Sequence, residues 1–335
     1  MEILPNILNV RSSTRNLTDE QFEGMLPQLA KELTEVSFYP NHSKEVLSKD
    51  WEKLCKYNFD SNFTASTVRV GMKLCEHFFP NFYDIENTKG QTFKALWKDP
   101  KVLEKIFRWN RKSHSTPYLS ELKRGIYFCC GLTKNTMFRP HLAKIICNSH
   151  DGNSVLDPCA GWGGRMLGSV ASGKKYIGFE PCHETYENLK RLQSFLGLQN
   201  VTLYNDVAEN MDNYDFENVD VVLTSPPYFN LEIYSLKGSE TQYSEYEDWV
   251  AQWLSPLIKQ SLSRMKPNGW SCWNVHNIGK MKMISDVENI HNSLNWNCSD
   301  EFGISSSKRQ ANDQRKKNID LTRIFCALSC YNVNI

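Results

Sequence analysis

The chain has almost no net charge, no apolar run long enough to cross a membrane and no paired cysteine spacing, and each absence narrows what it can be. A formal charge of +1 over 335 residues excludes a uniformly basic or acidic protein, so any electrostatic attraction must come from uneven distribution. No stretch reaches the roughly 18 apolar residues of a spanning helix, and the first residues lack the pattern of a secretory leader. The 11 cysteines are an odd number without the Cys-x-x-Cys spacing of a zinc site or redox pair. The sequence therefore predicts reduced, mostly buried thiols in a cytoplasmic protein with no membrane contact and no metal centre. Internal repeats, low-complexity segments and the helix-turn-helix, zinc-finger and basic-zipper patterns are absent as well.

Charge is present, but divided. Residues 1–150 carry 22 Lys and Arg against 16 Asp and Glu, while residues 151–335 carry 17 against 22. Between Lys89 and Lys144 the count is 13 basic to 3 acidic. Leu26, Leu29 and Leu33 predict a helix after the Thr18-Asp19 cap signal. Helical periodicity returns over Lys44–Asn58 and Phe93–Lys112, with a break at Asp99-Pro100. On Phe93–Lys112 one face is apolar and the other carries Lys101, Lys105, Arg108, Arg111 and Lys112. Basic residues interleaved with Trp97, Trp109 and Tyr118 suit phosphate contacts and base stacking. A solvated helix face is the simpler alternative.

The second half alternates short apolar runs with helical patterns. Ser154–Asp157 reads as a strand that enters a glycine-rich turn, with a helix starting near Gly163 or Gly164. Glycines let a ligand approach the backbone, and a helix N-terminus favours an anion. A nicotinamide-type Gly-x-Gly-x-x-Gly would need glycine where Met166 stands. Phosphate-loop spacing over Gly168–Lys174 fails because Lys175 replaces the required Ser or Thr. The next strand, Lys175–Glu180, ends in a carboxylate about 20 residues beyond the glycine turn, a spacing that suits a ribose hydroxyl pair. A third strand, Val201–Tyr204, ends at Asn205-Asp206. A fourth, over Val219–Leu223, stops at Thr224-Ser225-Pro226-Pro227-Tyr228, since neither proline can donate to a sheet ladder. That stiff turn offers a hydroxyl and carbonyls as acceptors, with a flat ring beside them. Two acceptors on an exocyclic aromatic amine would favour a pyramidal nitrogen with a localised lone pair.

In these residues the chain resembles the S-adenosylmethionine-dependent amino-methyltransferases of DNA, of the N4-cytosine and N6-adenine type. Their catalytic motif reads Ser/Asp/Asn-Pro-Pro-Tyr/Phe, matched by Ser225, Pro226, Pro227 and Tyr228. Their cofactor loop, Asp-Pro-Phe-x-Gly-x-Gly, is similar to Asp157, Pro158, Cys159, Ala160, Gly161, Trp162 and Gly163, with Cys159 in place of phenylalanine. Phe138, Arg139 and Pro140 look like the segment that folds over the methionine moiety, with Arg139 for the usual lysine. The resemblance covers residues 136–335. It implies S-adenosylmethionine contacts from these segments, from Glu180 and Pro181 at the ribose, from Asp206 and Val207 at the adenine, and from Ser225. It also implies an α/β, Rossmann-like methyltransferase fold, a seven-stranded doubly wound sheet with an antiparallel last strand. Residues 1–135 would form a mainly helical, basic nucleic-acid recognition region, and 136–335 the methyltransferase domain.

The implied reaction is methyl transfer to a flipped-out or unpaired DNA base. Serine in the motif leans toward N4 of cytosine; the order of the motifs leans toward N6 of adenine. RNA as target, a second copy or partner subunit, and a non-catalytic nucleic-acid-binding role all stay open. Phe229 and a polar loop to Glu245 would cover the target base, with Tyr234 and Tyr243 as further stacking groups, and Lys308, Arg309 and Arg315 would touch phosphates.

Overall fold

The computed structural model describes residues 3–58, 68–87, 89–132, 135–229, 243–277, 279–305 and 321–328. In chain order its helices begin with α1 (Asp19–Thr34), α2 (Lys44–Lys56), α3 (Met72–Phe78), α4 (Phe93–Trp97), α5 (Pro100–Lys112), α6 (Leu119–Cys130) and α7 (Pro140–Asn148). From there β1 (Ser154–Asp157), α8 (Gly164–Ala171), β2 (Lys175–Phe179), α9 (His183–Leu196), β3 (Val201–Tyr204) and β4 (Val219–Thr224) alternate. They are followed by α10 (Tyr246–Trp249), α11 (Ser255–Ser263), β5 (Met265–Val275), α12 (Met283–Ser293), β6 (Asn297–Ser305) and β7 (Leu321–Leu328).

Two compact units divide the chain. The first holds Met1–Asn41 and Pro80–Thr136. Thr18 and Gln21 form a reciprocal capping box that starts α1. Phe22, Leu26, Leu29 and Leu33 then repeat at helical spacing and are buried in one core with Leu103, Ile106 and Phe107 of α5. The second unit holds His42–Phe79, Met137–Phe229 and the elements after residue 243. Residues 42–79, expected with the N-terminal region, therefore belong with the sheet. The buried Lys144 of α7 shows why: its ammonium donates to the carbonyls of Leu54 at 2.9 Å, Cys55 at 2.6 Å and Tyr57 at 3.0 Å, capping the C-terminus of α2.

The sheet of the second unit has the order β3-β2-β1-β4-β5-β7-β6. The first five strands are parallel, the Rossmann-like arrangement that the resemblance implies. β7 runs antiparallel to both β5 and β6. Strand order reverses at β1/β4. With right-handed crossovers, the helices before and after that point cover opposite faces. Between α10 and α11 lies a π-helical turn at Val250–Leu254, because Pro256 has no N–H and cannot continue regular pairing. β5 pairs with β4 through a register shift between Val219 and Val221; Asn268 takes φ +63° in that irregularity. Cys75, Cys147 and Cys272 are buried, Cys129, Cys130, Cys159 and Cys182 are half-buried and Cys55 is exposed, fewer fully buried than expected.

Beneath β5 lies a buried hydrogen-bond chain. Trp273 Nε1 donates to Ser271 Oγ at 2.8 Å, Ser271 Oγ lies 2.9 Å from His291 Nε2, and His291 Nδ1 lies 2.8 Å from the Val287 carbonyl. The Val287 carbonyl can only accept, so Nδ1 carries a proton, and in the neutral ring Ser271 donates to Nε2. Burial pushes the His291 pKa down to about 4. The unfolded chain thus takes up a proton that the folded chain refuses, so stability falls as pH drops from about 6.5 toward 4, by roughly 3 kcal/mol. Urea midpoints measured at neutral and mildly acid pH should fall less in His291→Gln than in the wild type. An equal fall in both would place the acid sensitivity elsewhere.

Candidate active site

β1 and β4 are neighbours, with Val155 opposite Val221 and Leu156 opposite Val222. Their carboxyl ends therefore emerge side by side at the switch point, where open α/β sheets bind ligands. Asp157 ends β1 and is fully buried. Its Oδ1 accepts from Thr224 Oγ1 at 2.8 Å and the Cys159 amide at 3.3 Å; its Oδ2 accepts from Arg165 Nε at 2.8 Å and Tyr176 Oη at 2.8 Å. Burial, with the neighbouring Asp157 charge, pushes the Tyr176 phenol well above its ordinary pKa, so it stays a donor. Asp157 was expected to contact the cofactor. Its oxygens are instead committed within the chain, and it braces the turn from beneath.

Above that brace the turn is built from backbone. Gly161 and Gly163 sit at φ +56° and +73°, a region costly for side-chain-bearing residues. At Gly164, the first residue of α8, a Cβ would collide with the Phe138 carbonyl. The segment Phe138, Arg139 and Pro140 thus lies directly on the glycine turn, with the Arg165 guanidinium 5.4 Å from the centre of the Phe138 ring. Arg139 is half-buried, and burial, then the like charge of Arg69, lowers its pKa. Arg69, itself paired with Glu76, carries no motif that sequence reasoning could find.

Glu180 follows β2 and is nearly buried. Its Oε2 accepts from the Gly161 amide at 2.8 Å and its Oε1 from the Cys182 amide at 3.0 Å. Asn205, which was passed over in favour of its neighbour, donates Nδ2 to the Glu180 carbonyl at 2.9 Å and the Pro181 carbonyl at 3.3 Å, tying the ends of β2 and β3 together. Asp206 accepts from the Val207 amide at 2.8 Å, Asn210 Nδ2 at 2.9 Å and Tyr214 Oη at 2.9 Å. Burial opposes its ionisation, but these donors outweigh it and hold the carboxyl below its usual range. Glycine turn, Glu180 and Asp206 accordingly line the carboxyl ends of β1, β2 and β3 in turn.

At the end of β4, Ser225 Oγ donates to the Asn274 carbonyl at 3.2 Å and accepts from Asn274 Nδ2 at 3.2 Å. A hydroxyl has one proton and two lone pairs, so one acceptor site is left over. The Tyr228 ring lies 4.3 Å from that of His276, tilted by 52°. Asn274 and His276 are the partners that sequence reasoning missed; their signal is position at the end of β5, beside β4. Phe229 was expected to touch nucleic acid. It is half-buried and packs against Tyr246 at 5.8 Å and Trp249 at 6.0 Å, on the core of the second unit, as does Tyr243. Tyr234, Lys308, Arg309 and Arg315 lie outside the described residues.

The basic face of the first unit is partly neutralised. Arg108 pairs with Glu23 at 2.8 Å and Glu104 at 3.5 Å, and Arg111 with Asp19 at 2.8 Å while lying over the Phe22 ring. Both arginines clamp α5 to α1. Lys101, Lys105 and Lys112 are exposed. Among the described residues no group of His, Cys, Asp and Glu could hold a metal ion, and no helix is long and apolar enough to cross a membrane.

No known family profile matches the chain. A stretch of 79 residues is 38% identical to type II methyltransferase M.MjaVI of Methanocaldococcus jannaschii, covering 23% of this chain and 38% of that protein. The chain thus matches well under half the length of this relative. Among solved structures, TrmN of Thermus thermophilus is similar with a TM-score of 0.41 and 13% identity, over 57% of this chain and 48% of that one. A SAM-dependent O-methyltransferase of Thermotoga maritima scores 0.39 at 14% identity, over 62% and 71%. Overlaps this loose carry no substrate across.

Removing the charge of Asp157 would leave Arg165 buried without its counter-ion. Asp157→Asn should destabilise the fold by about 3–5 kcal/mol, measured by denaturant unfolding. A loss under about 1 kcal/mol would show that the carboxylate is not the brace of the turn.

Proposed function

We propose that the chain transfers a methyl group from S-adenosylmethionine to the exocyclic amino group of a DNA base, N4 of cytosine ahead of N6 of adenine. The observation that supports this most is the adjacency of the two turns: the Thr224 hydroxyl donates to Asp157 at 2.8 Å, so the Ser-Pro-Pro-Tyr turn and the glycine turn leave one edge of the sheet together. The shared stretch with a type II methyltransferase points the same way.

The residues present fit the cofactor. The glycine turn leaves room for backbone contact, Glu180 is a carboxylate at the end of β2 where a ribose diol would lie, Asp206 is an ionised acceptor for an adenine amino group, and Arg139 is a cation for a carboxylate. When bound, the sulfonium supplies an electrophilic methyl carbon. Ser225 is already oriented by Asn274, and its remaining lone pair can accept one N–H of the target amine. A carbonyl of the proline pair accepts the other. The nitrogen lone pair is thereby directed away from the ring. Tyr228, backed by His276, offers its ring as a stacking surface for the base. The methylated ammonium is acidic enough to release its proton without a strong base in the site. A base inside a duplex cannot reach this turn, so the target is unpaired or flipped out.

Incubation with labelled S-adenosylmethionine and DNA, then digestion to nucleosides, should give labelled N4-methylcytosine. N6-methyladenine would move the specificity to the second reading. A product formed only with RNA, or none with any nucleic acid, would overturn the proposal. Ser225→Ala and Tyr228→Ala should each lose at least about 100-fold in turnover while cofactor affinity stays within about twofold; Glu180→Gln should show the reverse, weaker cofactor binding with smaller loss of turnover at saturation. Undiminished turnover in both motif variants would remove the site.

A further inference from the structure

In the first unit, Trp109 of α5 and Phe128 of α6 stack with ring centres 5.9 Å apart and planes within 15°. Phe128 is 55% exposed, the most exposed large hydrophobic side chain among the described residues. The pair is built by a close helix approach. At Gly125 a Cβ would meet Ile106 Cγ2 at 2.7 Å and Trp109 Cε3 at 3.1 Å, so α6 rests directly on α5 there. One turn later Phe128 arrives over Trp109.

Cations surround the ring pair. The Arg124 guanidinium lies 5.6 Å from the Trp109 ring centre and 5.8 Å from that of Phe128. The Lys105 ammonium is 2.6 Å from the Cys129 carbonyl, the residue after Phe128. Helical spacing puts Lys101, Lys105 and Lys112 on one outward stripe of α5, with Trp109 at its margin. Arg108 and Arg124 spend their charge on Glu23, Glu104 and Glu121. Among the described residues the three lysines have no carboxylate at ion-pair distance, so they supply the net charge of this face.

We propose that this α5/α6 face docks a strand of nucleic acid, with an unpaired base laid against Phe128 and backbone phosphates on Lys101, Lys105 and Lys112. This rests on the function proposed above and adds to it the surface that holds the substrate outside the reacting turn. An exposed ring costs solubility unless something covers it, and a lysine stripe without a carboxylate at ion-pair distance among the described residues calls for a polyanion. A nucleic-acid strand meets both demands at once: every base has a π-face, and stacking tolerates any sequence. An apolar protein partner would use the ring and leave the lysines without purpose.

Binding of a labelled single strand and of its duplex, by fluorescence anisotropy across a salt series, separates the two elements. Phe128→Ala should weaken single-strand binding about 5- to 100-fold with the salt slope kept. Phe128→Tyr should restore it. Lys101→Gln, Lys105→Gln and Lys112→Gln together should flatten the slope of log K against log salt by about 2. Cofactor affinity, read by calorimetry, should stay unchanged in all of them. A wild type that methylates nucleic acid while Phe128→Ala binds it as tightly overturns this surface and leaves the function standing. The same holds if Phe128→Ala changes only the oligomeric mass. A wild type that binds cofactor but neither binds nor methylates nucleic acid overturns both.

Discussion

A carboxylate with no exposure to water can stay in a fold only if every charge it carries is answered, and Asp157 is answered by donors from four places in the chain. Arg165 comes from the helix after the turn, Tyr176 from the next strand, Thr224 from the strand across the switch point, and the Cys159 amide from the turn itself. Replacing the whole set with apolar groups of matching shape could cost nothing in stability. Such a core would not, however, dictate where the glycine turn stands relative to the end of β4. Directional donors do that, and the site is defined by that relation.

Rigidity is passed upward from this brace. Gly161 gives its amide to Glu180, Glu180 gives its carbonyl to Asn205, and Asn205 links to His183 at 2.8 Å. The carboxyl ends of β1, β2 and β3 are therefore joined by side-chain bonds as well as by the sheet ladder. On the other side of the switch point, Asn274 holds Ser225 by both its backbone and its amide. A hydroxyl that has already lost its rotational freedom pays no ordering cost when an N–H arrives. Proline at two successive positions stiffens the adjoining backbone in the same way.

Local signals made much of this readable in the sequence. Strand ends, the glycine turn and the double-proline stop are all features of a few consecutive residues, and each stands where periodicity put it. Asp157 was found, but its role was inverted, because nothing in a linear sequence tells whether a carboxylate at a strand end points toward a ligand or inward to an arginine eight residues on. Asn274 and His276 were invisible for a related reason: their importance comes from the pairing of β4 with β5, a contact across about 50 residues. α6 escaped because Gly125 lowers helical propensity at the very position where α5 needs a missing side chain.

Charge was the least legible property. The segment from Lys89 to Lys144 reads as strongly basic, yet α1 brings Asp19 and Glu23 against it from outside that window. Two of the five basic residues of α5 expected to meet phosphate, Arg108 and Arg111, are thereby paired with α1. What is left is narrow, a stripe of lysines a few residues apart, and at physiological salt a field of that size fades within about 8–10 Å of the surface. A patch so short in range cannot draw a polyanion from a distance. It can hold one already in contact, and that is why the geometry of the aromatic pair beside it, more than the number of cations, decides what this face can recognise.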